Sequence, residues 1–480
     1  MLFGTRKITV IPGDGIGPEV MSAALKVVDA SGVAIEAEVR QAGARVFAQG
    51  IESGVPRDTV DSIRNTKVLL KGPLETPIGH GNKSANVTLR TLFETFGNLR
   101  PVRELPGVTT PFTGRKLDIV IVRENVEDLY TGIEYMQTPS VAEALKIITR
   151  SGCERIVELA FEFALAAGRE RVHCATKSNI LKLTEGMLQH TFEAIAPRYP
   201  SIEAKHILID NCAHQLAMRP EQFDVIVTTN MNGDILSDLT SGLTGGLGFA
   251  PSANIGSDVA IFEAVHGSAP DIAGKNVANP TALILSAAMM LRHIGEGRAA
   301  NDIEQAVLVT LESGVRSADM AGSGQPSSTT EFADAVISNL GKVSTTSGSR
   351  DFQAVRLPER ATEVAATRVE TRKVTGVDIF VESTLQPDDL GAELTAATER
   401  TRFSLHAITN RGNTVYPAST RSVSLADNYR CRFLATDRQG DISDPEILAL
   451  LTHVGETIRW MHVEKLQLFD GDDGFSRTPK

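Results

Sequence analysis

Short apolar runs alternate with helical patterns through the first 340 residues. KITVI, KVLLKG, LDIVIVRE, RVHCATK, HILIDN and DVIVTT read as strands, each followed by a helix-like or glycine-rich stretch. Many are apolar on both faces, as expected of strands covered on both sides. This alternation predicts an α/β fold. The pattern breaks near residue 343, where VSTTSGSR is small and polar, and residues 343–373 read as a linker. A second pattern follows over 374–480. VDIFVES is a strand, PDDLGAELTAAT a helix, FSLHAIT and YRCRFLAT strands, DPEILALLTHVGETI a helix and MHVEKLQLF a strand. The order βαββαβ predicts a smaller α+β, ferredoxin-like domain. Asp444 is the expected cap of its second helix, with Pro445 in the first turn.

Composition narrows the class. With 480 residues, 42% of them hydrophobic, the chain can bury a large core. A net charge of -11 and the lack of a long basic block argue against nucleic acid as a partner. Cys153, Cys174, Cys212 and Cys431 form no CxxC pair, so neither a zinc site nor a disulfide framework is expected. No signal peptide and no apolar run long enough to span a bilayer is read, so a cytoplasmic setting is expected and no membrane partner.

Four segments carry candidate chemistry. In IPGDGIGPEV a strand enters a glycine-rich turn and then a helix, which serves either a ligand or backbone geometry alone. In SANVTLRTLFETFGNLRPVR, Asn86 and Arg90 lie four apart on one helical face, and Arg100 follows. Arg123 closes the strand LDIVIVRE, where open α/β sheets place ligands. Arginine forks match carboxylates, so three of them suit a polycarboxylate; surface ion pairs are the plainer reading. In NMNGDILSDL, Asp234 and Asp238 are four apart, and Asp210 closes the strand HILID. Oxygen donors of this kind suit Mg²⁺, while capping and solvent exposure are the alternative. Lys177 sits at another strand end, and Tyr130 lies close to Arg123 in sequence. Both can transfer protons if their surroundings tune them.

Together and in this order, PGDGIGPEV, SANVTLR, RENVEDLYTGIE, NMNGDILSDL and EAVHGSAPDIAGKNVANP resemble the β-decarboxylating dehydrogenases, the isocitrate and 3-isopropylmalate dehydrogenase family. The resemblance runs from about Lys7 to Leu340. It implies a large cofactor-side domain from 1–100 and 253–342, and an inserted small, dimerising domain over 101–252. It further implies a substrate clamp of Thr76, Ser84, Asn86, Arg90, Arg100 and Arg123. Asp210, Asp234 and Asp238 would hold Mg²⁺ or Mn²⁺, and Tyr130 and Lys177 would be the proton-transfer pair. Lys177 and Asp210 would come from the second subunit of a homodimer.

Ser84 and Asn86 stand where isopropylmalate enzymes are leucine-rich, which points to isocitrate. A third carboxylate facing an apolar wall would be unpaired and costly. Glu263, His266, Gly267, Ala269, Asp271, Ile272 and Asn279 look like the cofactor site. NADP-using relatives carry Lys-Tyr where this chain has Asp271 and Ile272. Aspartate would repel the 2′-phosphate and accept hydrogen bonds from a free ribose, so NAD is expected. The competing expectations are homoisocitrate or 3-isopropylmalate as substrate, or a non-catalytic regulatory subunit. The C-terminal module resembles an extension of some bacterial isocitrate dehydrogenases, either an oligomer contact or a ligand-binding module.

Overall fold

The computed structural model describes residues 5–75, 84–320, 325–348, 352–358, 368–417, 423–437 and 441–477. The chain forms two compact units, Met1–Thr131 with Ile147–Arg360, and Gly132–Lys146 with Ala361–Lys480.

The first unit is built on one ten-stranded sheet. Its strands are β1 (Arg6–Ile11), β2 (Ile35–Val39), β3 (Val68–Lys71), β4 (Gly97–Arg103) and β5 (Asp118–Glu124). After the hairpin β6 (Glu134–Thr138) and β7 (Val141–Ala144) come β8 (Arg171–Thr176), β9 (Glu203–Leu208), β10 (Val225–Thr228), β11 (Pro251–Ile255) and β12 (Ala260–Ala264). The sheet order is β2-β1-β3-β12-β11-β4-β5-β10-β8-β9. Both ends are parallel, while β12, β11, β4 and β5 pair antiparallel in the middle. Two parallel βα arrays therefore meet at an antiparallel centre. The strands predicted from apolar runs are found, and β3, β10, β11 and β12 are buried along their whole length. The α/β fold class is borne out.

The glycines of IPGDGIGPEV serve backbone contact. A Cβ on Gly13 would stand 2.4 Å from the Pro73 carbonyl, and one on Gly15 only 2.0 Å from that of Ser268. Both glycines have positive φ, a region costly for other residues. Asp14 accepts hydrogen bonds from the Ala44 and Glu75 amides at 3.0 and 2.8 Å. The Ile16 amide donates to Ser268 at 2.8 Å. This turn is thus the floor on which the loop beginning at His266 rests.

Part of the segment read as a linker is anchored. Ser344, Thr345 and Thr346 all donate to the Glu312 carboxylate. The Gln353 amide donates to the Ala166 carbonyl at 2.9 Å, and Arg292 lies 4.3 Å from the Phe352 ring centre. Polar composition hides such a tie, because the strap is held by hydroxyls and backbone rather than by an apolar stripe.

The second unit holds β13 (Arg372–Glu382), β14 (Phe403–Asn410), β15 (Asn413–Tyr416), β16 (Asn428–Ala435), β17 (Arg459–Phe469) and β18 (Asp472–Asp473). Its sheet order is β15-β14-β16-β13-β17-β18, antiparallel throughout. Without β15 and β18 this is the split βαββαβ order that the sequence predicts. The short hairpin strand β15 lies outside that prediction. The second helix is Asp444–Gly455, and Ser443 rather than Asp444 caps it, in a capping box with Glu446. The hairpin β6–β7 belongs to this unit although it lies within 101–252. Thr138 and Ser140 donate to Asp427 at 2.9 and 2.6 Å, and Gln137 meets the His462 ring at 3.1 Å. Among the described residues no helix is long and apolar enough to cross a membrane.

Candidate active site

The centre of the large sheet gathers most of the candidate residues. Arg100 on β4 and Arg123 at the end of β5 both reach Asp234, on the helix Asn230–Leu243. Arg100 Nη1 lies 3.1 Å from Asp234 Oδ1 and 3.8 Å from Asp238 Oδ1. Tyr130 Oη donates to Asp234 Oδ2 at 2.5 Å, and Arg123 lies 4.9 Å from the Tyr130 ring centre. Asn230 accepts from Arg123 Nε and Nη2 at 3.1 and 2.7 Å. Gly233 makes room: a Cβ there would stand 2.6 Å from Arg123 Cγ. The glycine in NMNGD therefore lets the helix lie against the arginine stem.

The second cluster adjoins the first. Glu263, at the end of β12, pairs with Lys71 of β3 and with Arg90 at 2.9 Å. Arg90 and Asn86 share the helix Ala85–Leu92, as their spacing predicts. Ser84 stands at the N-cap position of this helix without a side-chain capping bond. Lys71, Asn86, Arg90, Arg100, Glu263, His266 and Gly267 line one cleft of about 120 Å³. Asn86 Oδ1, Arg90 Nε and His266 Nε2 are shielded from solvent without a hydrogen-bond partner. Buried polar atoms left in this state fit a polar ligand that completes them. Thr76 lies outside the described residues.

Electrostatics follow from burial and crowding. Burial pushes the Arg100 guanidinium down, helped by nearby Arg90. Arg123 is lowered to about 10, by burial and then by Arg100 and Arg90. Burial would raise the Asp234 carboxyl, but Arg123, the Tyr130 hydroxyl and Arg100 hold it below its usual range. Tyr130 is raised by burial and by its bond to Asp234, so it keeps its proton at neutral pH. Lys71 is lowered by burial, against the pull of Glu263. Glu263 stays ionised because Lys71 and Arg90 outweigh its burial.

Lys177 and Asp210 stand apart. Lys177 Nζ lies 3.0 Å from Asp210 Oδ2, and both are partly open to solvent. Asp210 falls in the first turn of the helix Ile209–Met218, past the strand end expected for it. Among the described residues, no three acidic, histidine or cysteine side chains come together as a metal cage. Asp234 and Asp238 are together and Asp210 does not join them.

The cofactor candidates lie on the loop after β12. His266 Nδ1 meets the Gly267 carbonyl at 3.0 Å. Ala269 has a φ of 39°. Asp271 is exposed and Ile272 half-buried. Asn279 is buried and already paired, donating to Asp319 and accepting from the Thr281 amide, both at 3.0 Å. Glu263, read from sequence as a cofactor residue, has its carboxylate turned to Lys71 and Arg90. Sequence reasoning missed Lys71, Asn98, Asn230 and Asn254. The available signal for Lys71 was a lysine ending the strand VLLK, which is buried at every position and so demands a partner.

Residues 7–336 match the family described as isocitrate/isopropylmalate dehydrogenase. The chain belongs to the isocitrate/isopropylmalate dehydrogenase family. Residues 372–479 match the C-terminal domain of bacterial isocitrate dehydrogenase. A Thermus thermophilus relative named isocitrate dehydrogenase (NADP) is 59% identical over 476 residues, 99% of this chain and 96% of that one. A Rickettsia conorii relative of the same name is 40% identical, covering 98% of each chain. A crystal structure of a Thermus thermophilus protein superposes with a TM-score of 0.94 at 58% identity, covering 100% of this chain and 97% of that one. The family's expected fold, a large mixed sheet followed by a separate antiparallel domain, is the one described above.

Proposed function

We propose that this chain oxidatively decarboxylates isocitrate to 2-oxoglutarate and CO₂, with NAD as the hydride acceptor and Mg²⁺ or Mn²⁺ bound. The convergence of Arg90 and Arg100 on one polar cleft, with Arg123 joined to Arg100 through Asp234, carries this reading. Lys71 and these three arginines give four positive charges against the three carboxylates Glu263, Asp234 and Asp238. The surplus is one, and a divalent cation would raise it to three, matching three substrate carboxylates. An isopropylmalate side chain would leave the Arg90 Nε donor unpaired, where a carboxylate could accept from it.

A cation held by Asp234 and Asp238, whose hard oxygen donors suit Mg²⁺ or Mn²⁺, would supply Lewis acidity at the hydroxyl, and the nicotinamide would take the hydride. The chain's own groups do the rest. The arginines fix the carboxylates so that one alone is positioned to leave. Tyr130, still protonated at neutral pH, gives its proton to the carbon that loses CO₂. Lys177, as the neutral amine, takes the hydroxyl proton. Because Lys177 and Asp210 stand apart from Asp234, we assign them to the site of a second copy in a homodimer. Random pairing of a Lys177→Met chain with an Asp234→Asn chain leaves one intact site in half the dimers. Mixing should restore roughly a quarter of the activity that both variants lack alone.

Asp271 supports NAD, being exposed and anionic where a 2′-phosphate would lie. The names of the Thermus and Rickettsia relatives favour NADP as a second reading. Steady-state turnover of isocitrate and of 3-isopropylmalate, each with NAD and with NADP, decides both questions. A higher kcat/KM with NADP overturns the NAD reading. A higher value with isopropylmalate overturns the isocitrate reading.

A further inference from the structure

We infer that a buried chain of two asparagines beneath the cleft sets the spacing of Arg100 and Arg90, making Asn98 and Asn254 positioning residues for the substrate. The inference rests on the isocitrate reading above. Asn98 and Asn254 face each other across the antiparallel pair β4 and β11. Both are fully buried at 0% exposure, and a buried amide without partners would cost stability. Every link of the chain has a partner. Arg100 Nε donates to Asn98 Oδ1 at 2.5 Å. Asn98 Nδ2 donates to Asn254 Oδ1 at 2.9 Å, and Asn254 Nδ2 donates to Glu263 Oε1 at 2.7 Å. Glu263 Oε1 in turn accepts from Arg90 Nη2 at 2.9 Å.

All the donors point one way, from the Arg100 cation to the Glu263 carboxylate. Aligned bonds in a low-dielectric interior polarise one another and hold each amide in one orientation. Turning either asparagine over would set its NH₂ against a donor. Side branches pin the chain further: Asn98 Nδ2 also reaches Ser252 Oγ at 2.7 Å, and Asn125 Nδ2 reaches Asn254 Oδ1 at 3.0 Å. Arg100 and Arg90 come from different elements, and this path joins their guanidinium groups through side chains alone. Neither asparagine is among the residues lining the cleft, so they act on substrate only through the arginines.

The test compares Asn98→Leu, Asn254→Leu and the double variant with the wild type, measuring kcat, KM for isocitrate, KM for the nicotinamide cofactor and Tm. Each single change should raise the isocitrate KM about tenfold, with kcat within about threefold and the cofactor KM unchanged. Because both sit on one path, the double variant should lose about as much as either single one, not about a hundredfold. Asn98→Ser and Asn254→Ser, too short to span the links, should give the same KM shift and serve if the leucine variants do not fold. An isocitrate KM within twofold of wild type, or a fully multiplicative double variant, overturns the inference. A wild type that does not turn over isocitrate overturns the functional reading instead, before any variant is compared.

Discussion

Two charged clusters of the large unit are built differently. The cations of the clamp around Asp234 and Glu263 are buried, the Arg123 side chain 1% exposed, Lys71 2% and Arg100 7%, while Asp234 itself is 38% exposed. Arg100, Arg123, Asp234 and Glu263 each have more than one partner. The Lys177–Asp210 pair is a single contact at 3.0 Å, with side chains 32% and 64% exposed. Desolvated, crowded charges are held in place before a ligand arrives, whereas an exposed pair of this kind contributes little by itself. The ion pairs of the clamp close within one chain, and the exposed pair adds a single contact.

That contrast can be broken most sharply at Arg123. Arg123→Lys keeps the charge and loses the fork to Asn230 and Asp234. On the order of 100-fold should be lost in kcat/KM for isocitrate, since truncating one partner of a buried pair costs about 2–5 kcal/mol. Steady-state kinetics would read it, and a loss under threefold would mean the clamp is not pre-formed.

At the exposed pair, Lys177→Met should lower kcat by roughly 100-fold, typical of a lost proton-transfer group, while Tm stays near wild type. If Tm fell instead, the pair would be structural. Tyr130→Phe tests the hydroxyl bonded to Asp234. Its raised pKa means the acid form persists through neutral pH, so wild-type kcat should show no loss from this group there. The variant should lose roughly 100-fold in kcat with the isocitrate KM little changed.

A smaller effect is expected outside both clusters. Asp271→Lys with Ile272→Tyr should move the kcat/KM ratio toward NADP by about 10-fold or more, read with both cofactors. An unmoved ratio would remove Asp271 from the cofactor argument.

The smallest effect lies in the strands beneath the two clusters. His173, on the strand β8 that leads into Lys177, is held neutral by burial, its pKa lowered to about 4. Its unfolded counterpart takes a proton near pH 6.5, so this group's contribution to stability falls as pH drops from about 6.5 to 4. Glu124, next to Arg123, is raised by burial to about 7. Its contribution has the opposite slope, falling as pH rises from about 4.5 to 7. Denaturant unfolding across pH 4–7 should therefore steepen one way in His173→Gln and the other way in Glu124→Gln. Parallel curves would show that neither group titrates with folding.

What was legible in the sequence follows chemistry more than placement. Arg123, Asp234 and Tyr130 stand in short motifs where a charged or phenolic group follows a strand, and the structure brings all three together. Arg90 and Asn86 were legible through helical spacing. Asn98 and Asn254 were not, because a polar residue within a strand reads as the solvent face until its cross-strand neighbour is known. Glu263 shares a motif with His266, and its place opposite Lys71 in the parallel pair β12–β3, which one segment cannot reveal, brings its carboxylate to that lysine. In the smaller unit the two helices and four long strands were read from periodicity. The four-residue strand β15 was too short to leave a period.

The antiparallel centre has a consequence for how the molecule folds. β4 at 97–103 pairs with β11 at 251–255, and β5 borders β10 at 225–228. Arg100, Asp234 and Glu263 therefore meet only after segments more than about a hundred residues apart have found one another, a slow kind of pairing. No amino-terminal fragment that stops short of Glu263 contains the whole clamp. A ligand seated there recognises the finished sheet alone, and by mass action it would protect both parallel arrays from unfolding at once.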